Sequence, residues 1–279
     1  MANRRPVLPD VVRFYRLRVL RAYDVSPSFR RVTVTSDELS AFQHLGFDHW
    51  FRLFVPAAGQ QTWRLPTATS KFWYAQWLAT PDKERPHVNN YTVRAFRPDS
   101  LELDIDVVLH RGPGGTLEGR VAQWATEVRP DDELAILDEG LLFNRPADTG
   151  SVLLAADESG LPALEGILAS LPDDLGGRAV LEVPTAADVR ELAHGPGLDV
   201  QWVVRSEVDA GGVPGAAALA AVCAGPAPAA DAYAFLVGES GLATGARRHL
   251  VRSGLAKDRI TFCGFWKAST RQRQAVGSH

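Results

Sequence analysis

Two different periods of apolar residues run along this chain. In its first half apolar and polar positions alternate with period two, the spacing that gives a strand one buried and one exposed face. Residues 16–21 and 30–35 alternate in this way, and Asp24-Val25-Ser26-Pro27 between them predicts the turn of a hairpin. Residues 50–55, stopped by Pro56, and residues 91–96, 101–109 and 133–137 predict further strands. Several short strands separated by turn residues favour a small antiparallel barrel over an open sheet. One stretch breaks the pattern: residues 60–90 carry Trp63, Phe72, Trp73, Tyr74 and Trp77 with no clean period. It reads either as a binding loop or lid, or as a short helix over residues 70–78 packing its aromatics on the barrel.

After the polar break at 144–150 the pattern changes. Strand-like runs at 151–155, 178–183, 200–204, 232–237 and 260–265 alternate with helix-like segments at 161–171, 186–192, 215–224 and 242–253. A βαβ series of this kind predicts a parallel sheet covered on both faces, with its ligand crevice beyond the carboxyl ends of the strands. That brings Asp157-Glu158-Ser159, Pro184-Thr185, Arg205-Ser206 and Gly238-Glu239 near one another. The expected organisation is a β-barrel domain over residues 1–147 followed by a parallel-sheet α/β domain over residues 148–279.

Composition sets outer bounds. A chain of 279 residues is long enough for two domains of ordinary size. Its formal net charge of -3 argues against a nucleic-acid binder. No apolar run reaches the length of a membrane span, and Met1-Ala2-Asn3-Arg4-Arg5-Pro6 lacks the apolar stretch of a signal peptide, so a cytoplasmic protein is expected. Cys223 and Cys263 stand far apart without metal-ligand spacing and read as buried free thiols. The histidines form no cluster, so no bound catalytic metal is expected.

The candidate chemistry lies in Asn89-Asn90-Tyr91-Thr92-Val93-Arg94 and in the strand that ends Asp106-Val107-Val108-Leu109-His110. A flat aromatic, a hydroxyl and a guanidinium within four residues suit a planar heteroaromatic ligand that carries a pyrophosphate. Period two puts Thr92 and Arg94 on one strand face and Tyr91 on the other, so a shared ligand requires a strand end or a barrel seam. The competing reading is an ordinary amphipathic strand. Arg85-Pro86 precedes the motif, and Arg111-Gly112-Pro113-Gly114-Gly115-Thr116 follows, leading into a short apolar helix at 121–125. The amino end of such a helix presents free N–H groups to a phosphate. Later, Ala155-Ala156-Asp157-Glu158-Ser159-Gly160-Leu161-Pro162 runs a strand into a helix through an acidic, proline-containing turn, and Leu236-Val237-Gly238-Glu239-Ser240 and Cys263-Gly264-Phe265-Trp266-Lys267 end the last two strands. Taken in order, these motifs resemble the siderophore-interacting proteins, a branch of the ferredoxin-reductase-like flavoenzymes, from about residue 15 to residue 267.

The resemblance implies an amino-terminal FAD-binding antiparallel barrel and an NAD(P)H-binding-type α/β domain. It implies a reductase that passes hydride from NADPH or NADH to FAD and single electrons from the flavin to a ferric siderophore. The cofactor-binding residues it implies are Asn89, Tyr91, Thr92, Arg94, Asp106, Val108, His110, Gly115, Thr116 and Trp266 for the flavin. On the nicotinamide side they are Asp157, Glu158, Ser159, Gly238 and Glu239. Arg52, Arg64 and Lys267 form a basic trio for an anionic ferric chelate. No residue is assigned acid–base chemistry. Glu182 stands where a ribose-reading acid would favour NADH, and Arg205 could favour NADPH. A monomer or weak dimer is expected.

Three positions depart from the family pattern. Asn89 replaces an arginine and brings neither charge nor a bidentate fork. Leu137-Asp138-Glu139-Gly140 replaces a Gly-Pro-Arg-Gly-like turn, and its acids would repel a dinucleotide's phosphates if they faced the crevice. Ala156 replaces a glycine and limits how closely a ligand approaches the backbone. These departures leave open a flavoprotein recruited to a biosynthetic or nicotinamide-independent step, and a flavin-free binding protein.

Overall fold

A computed structural model describes residues 5–111, 115–208 and 212–268. The described residues divide into two compact units, one built from Leu8–Leu45 and His49–Gly140, the other from residues 5–7, Gly46–Asp48 and the described residues from Leu141 on.

In the first unit, strands β1 (Phe14–Ser26), β2 (Phe29–Thr35), β3 (Trp50–Val55), β4 (His87–Thr92), β5 (Ala95–Arg97), β6 (Glu102–Val108) and β7 (Glu133–Gly140) form one antiparallel sheet in the order β4-β3-β7-β1-β2-β6-β5. The β1–β2 hairpin turns at Pro27-Ser28, not at the expected Asp24-Val25-Ser26-Pro27. Asp24 stays in the ladder opposite Arg30 and pairs with it at 2.6 Å, which carries the strands past the predicted turn. The expected single strand at 91–96 is two strands with different partners: β4 lies on β3 and β5 on β6, at opposite ends of the strand order. Consecutive amides join those ends. Val93 N–H donates to the His49 carbonyl at 2.7 Å, and Arg94 N–H donates to the Asp104 carbonyl at 2.9 Å. The sheet is thereby closed into a barrel along this seam.

Inward-facing residues recur at every second position: Tyr15, Leu17 and Val19 on β1, Phe51, Leu53 and Val55 on β3, Leu103, Ile105 and Val107 on β6. Burial of each large apolar side chain of this kind stabilises by roughly 1.5–3 kcal/mol. Helix α1 (Trp73–Ala79) lies within the 60–90 insertion and packs on the outer face of β3 and β7, where Trp73 meets the Phe54 ring edge-on at 5.7 Å. Phe72, Tyr74 and Leu78 remain exposed. Helix α2 (Arg120–Glu127) adds Val121, Ala122 and Ala125 to the barrel core.

Leu137-Asp138-Glu139-Gly140 is the end of β7 rather than a turn. Asp138 is buried and accepts from His49 Nε2 at 2.8 Å and from Gly140 N–H at 3.1 Å. Leu45 N–H donates to His49 Nδ1 at 3.1 Å, which assigns the ring proton to Nε2. Glu139, on the other strand face, meets Arg52 Nε at 2.5 Å. Both acids therefore have partners within the barrel, and the expected repulsion of a dinucleotide by this segment does not follow.

In the second unit, β8 (Ser151–Ala156), β9 (Gly176–Val183), β10 (Leu198–Val204), β11 (Ala232–Glu239) and β12 (Ile260–Trp266) form a parallel sheet in the order β10-β9-β8-β11-β12. Helices α5 (Ala216–Ala224) and α6 (Ser240–Arg252) pack on one face through Ala218, Val222, Leu242 and Leu250. Helix α3 (Leu161–Ser170) connects β8 to β9, and the short α4 (Arg205–Val208) follows β10. The strand order reverses between β8 and β11, the switch point where such sheets open a crevice.

The expected helix at 186–192 is absent. Thr185 N–H and hydroxyl donate to Asp188 Oδ2 at 3.1 and 2.8 Å and close a single 3-10 turn, Ala186–Asp188. Arg190 is drawn to Glu165 at 2.5 Å, and Gly195-Pro196-Gly197 cannot continue a helix. Cys223, expected to be buried, is exposed, and Cys263 is partly exposed. Among the described residues no helix is long and apolar enough to cross a membrane.

Replacing Asp138 by alanine strands two buried donors, His49 Nε2–H and Gly140 N–H, at about 1–3 kcal/mol each. Glu139→Ala removes a partly exposed pair and should cost under about 1 kcal/mol. Urea unfolding of both variants checks this, and equal midpoints would contradict the buried role of Asp138.

Candidate cofactor site

At the barrel seam, β4 pairs with β3 so that Tyr91 faces Phe51 and Thr92 faces Trp50. Tyr91 packs against the barrel core, and burial raises the pKa of its phenol, so the hydroxyl stays protonated. Thr92 is buried, and Trp50 Nε1 across the ladder is buried with no acceptor among the described residues. Arg94 follows the end of the strand. Its Nε lies 3.7 Å from Asp106 Oδ2, and Arg31 grips both oxygens of that buried carboxylate at 2.7 and 2.9 Å. Asp106 thus draws Arg94 from the outer face of β6, opposite the core residues Ile105 and Val107.

Strand β6 ends at Val108, opposite Phe29, so the period-two alternation that carries Asp106 does not reach His110. His110 lies beyond the strand, where its carbonyl accepts from Glu118 N–H at 2.8 Å. Gly115 and Thr116 are exposed in the loop before α2, with Arg111 Nη1 donating to the Gly115 carbonyl at 3.2 Å. Gly112, Pro113 and Gly114 of the glycine-rich turn lie outside the described residues.

Beside the motif, Asn89, Arg85, His87, Trp77, Arg120 and Val121 are among the residues lining a cleft of about 560 Å³. Gly119 occupies the N-cap of α2 at φ 91° and provides no side-chain acceptor, so the first-turn N–H groups carry no side-chain cap. An uncapped helix end, a guanidinium and an amide around one cleft suit a pyrophosphate. Tyr91, Thr92 and the unsatisfied Trp50 donor at the adjoining seam suit a planar, hydrogen-bonding ring. These residues fit an FAD. Arg120 was not among the residues singled out from the sequence; its signal is a cation opening the apolar run 121–125 directly after a glycine.

The basic residues proposed for an anionic substrate are less free than the sequence suggests. Arg52 lies over Trp50 and Trp73, 5.1 and 4.7 Å from the ring centroids, with Nε on Glu139 and Nη1 on Asn90 at 3.0 Å. Arg64 pairs with Glu84 at 2.8 Å. Lys267 belongs to the second unit and is exposed.

In the second unit, the carboxyl ends of β8 and β11 gather the acidic motif. Asp157 is fully buried; Ser159 N–H and Oγ donate to Oδ1 at 2.9 and 2.5 Å, and Glu239 N–H and Trp266 Nε1 to Oδ2 at 2.6 and 3.3 Å. Burial, and then the charge of Glu158, push the Asp157 carboxyl up to about 7 against the pull of these hydrogen bonds. Gly238, at φ 119°, lets Asp157 approach: a Cβ there would lie 2.6 Å from Oδ1. Gly160 likewise leaves room for the Ala156 methyl, which a Cβ at 160 would meet at 2.8 Å.

Glu158 receives Arg205 at both oxygens, at 2.8 and 2.9 Å, and the same guanidinium reaches Glu182 at 2.7 Å. Glu182 also accepts from Gly215 N–H and Ala218 N–H, each at 2.8 Å. The two residues expected to choose between NADH and NADPH therefore hold each other in a buried cluster. Glu239 caps α6 by accepting from Gly241 N–H, and accepts from Ala268 N–H at 3.1 Å.

Arg205→Met should cost about 3–5 kcal/mol, because Glu158 and Glu182 are left buried without their cation; a thermal melt reads this as a large fall in Tm. A second expectation concerns pH. The folded pKa of Asp157 lies above its ordinary 3.8, so protonation favours the folded state: that stability is complete below about pH 4 and is lost as pH rises through about 7. The difference in unfolding free energy between the parent and Asp157→Asn should change across that window and be flat above it. A difference that does not vary with pH would contradict the assignment.

Comparison with known proteins accounts for both units. Residues 18–141 match the siderophore-interacting FAD-binding domain, and residues 149–269 match the domain described as siderophore-interacting protein. The ferric vibriobactin reductase of Vibrio cholerae is 28% identical over 260 residues, covering 90% of this chain and 88% of that protein. The NADPH-dependent ferric-chelate reductase of Escherichia coli is 28% identical over 277 residues, covering 95% of this chain and 99% of that one. The crystal structure of a siderophore-interacting protein from Aeromonas hydrophila superposes with a TM-score of 0.72 at 30% identity, over 92% of this chain and 100% of that chain. With both halves matched in sequence order and the same two-part fold in a solved relative, this chain belongs to the siderophore-interacting protein family.

Proposed function

We propose that the chain is an FAD-dependent NAD(P)H oxidoreductase that reduces the iron of a ferric siderophore from Fe(III) to Fe(II) and so releases it. The observation that carries this reading is strand β4, which runs from a cleft lined by Asn89 and the uncapped end of α2 to the barrel seam at Tyr91, Thr92 and Arg94. The two reductases named above, each aligned along most of its length, support the same activity. In this reading residues 1–147 bind FAD and residues 148–279 receive the nicotinamide, in the cytoplasm, as a monomer or weak dimer.

When bound, FAD supplies the chemistry: it accepts hydride from the nicotinamide and passes electrons singly to Fe(III). The chain's own residues bind and orient. Arg94, aimed by the buried Asp106, donates to the pyrophosphate, with Asn89, Gly115, Thr116 and the α2 amides alongside. Tyr91 and Thr92 line the ring, while Val108 and His110 flank the adenosine-phosphate arm. Asp157, Glu158 and Ser159 fix the backbone of the nicotinamide crevice, with Gly238 and Glu239 completing it, while Trp266, expected at the flavin, gives its ring N–H to Asp157. Arg52, Arg64 and Lys267 attract an anionic chelate by their long-range field rather than by tight pairing. A ferrous ion, with one charge fewer, is held more weakly by anionic oxygen donors, so reduction loosens the complex.

The visible spectrum of the protein with FAD, repeated after anaerobic NADPH and NADH, tests the proposal. A yellow protein bleached by either donor, then reoxidised by a ferric chelate with Fe(II) captured by a chromogenic chelator, is the expected result. A flavin that neither donor bleaches would favour the recruited flavoprotein, and a protein that takes up no FAD a flavin-free binder. Within the reading, Arg94→Ala should weaken FAD binding on the order of 1.5–3 kcal/mol. Unchanged affinity in a fluorescence titration would remove Arg94 from the site.

A further inference from the structure

We propose that Arg120, at the first position of α2, supplies the pyrophosphate charge that Asn89 lacks, so that the FAD diphosphate is gripped from the helix side of the cleft. This rests on the FAD reading above and deepens it. Asn89 lines the cleft, exposed, with no side-chain hydrogen bond among the described residues. An amide there can donate to a phosphate oxygen but cannot neutralise it. Arg120 lines the same cleft and offers a planar fork that can meet two oxygens at once.

Two further observations set Arg120 apart from an ordinary surface cation. The first is its place on the helix. The amino end of a helix is the positive end of its dipole, where acids are favoured and cations are not. The first turn of α2 nevertheless holds no acid and begins with arginine. The second is its surroundings. Among the described residues the Arg120 guanidinium hydrogen-bonds only with the His87 ring, with Nη1 3.4 Å from both ring nitrogens, at the outer limit of a hydrogen bond. Burial, and then the Arg120 charge, lower the pKa of His87, so the ring is a poor home for a cation. The cleft's other arginine is engaged elsewhere: Arg85 donates to the Thr80 and Leu78 carbonyls, each at 2.9 Å, and pairs with Asp82 at 3.0 Å. With the Asp82 carboxylate of the same cleft taken by Arg85, the Arg120 guanidinium beside uncapped amides is a concentration of positive charge that a bound dianion relieves.

The test is FAD binding to the flavin-stripped full chain, followed by fluorescence over a range of salt concentrations, for the parent, Arg120→Gln and the double variant Arg120→Gln with Asn89→Arg. Arg120→Gln should weaken FAD binding at least tenfold and flatten its salt dependence, with an unchanged melting curve. Asn89→Arg in that background should restore most of the affinity and the salt dependence, because it returns the charge from the other wall. Binding by Arg120→Gln as tight and as salt-sensitive as the parent's would overturn the proposal. Weakened binding that Asn89→Arg does not restore would also overturn it, by showing a structural role for Arg120. A parent that binds no FAD would instead overturn the cofactor reading itself, and this inference with it.

Discussion

Two adjacent amides hold the barrel shut, and the candidate site depends on them. Val93 and Arg94 donate in succession to carbonyls before β3 and on β6, the two sides that the seam must join. Strand pairing ends at Thr92 and resumes at Ala95 on a different neighbour, so strict alternation of side chains is interrupted between them. That interruption releases Arg94 from the alternation, whereas Tyr91 and Thr92, both within β4, keep to opposite faces of the strand. Each side of the seam is braced by a buried carboxylate: Asp138 holds the ring of His49, whose carbonyl accepts from Val93, and Asp106 holds Arg94. Buried acids with fixed cationic or ring N–H partners give direction more than net stability, since desolvation offsets much of their attraction.

The second unit uses buried charge in another way. Its crevice is ringed by Asp157, Glu158, Glu182 and Glu239, which satisfy backbone amides, Ser159, Trp266 and Arg205. Such a network positions the ends of β8 and β11 and commits its carboxylate oxygens to partners within the unit rather than to a nucleotide's ribose. Gly238 and Gly160 are glycines because Asp157 and Ala156 occupy the space a Cβ would need.

Much of this architecture was legible in the sequence. The β3 strand at Trp50–Val55 and the parallel strands of the second unit follow from patterns that local residues impose, and they fall where periodicity puts them. What was not legible depends on partners distant in the chain. Residues 91–96 keep a strand period across the break at Val93-Arg94, because the break is made by carbonyls of His49 and Asp104. Asp138 and Glu139 look like a solvated acidic turn until His49 and Arg52 are placed across from them. Glu182 and Arg205 each look like a nucleotide selector, and only parallel pairing of β9 with β10 brings them together. Arg120 carries no distinctive sequence signal, because one cation at the start of a short helix is common; its meaning comes from the cleft it shares with Asn89.

Amide hydrogen exchange with and without FAD tests most directly whether the seam is the flavin site. Val93 and Arg94 should exchange only through opening of the barrel, and FAD should add protection to peptides spanning residues 87–94 and 115–122. Fast exchange at Val93 and Arg94 in the free protein, or protection by FAD that leaves both peptides unchanged, would contradict this.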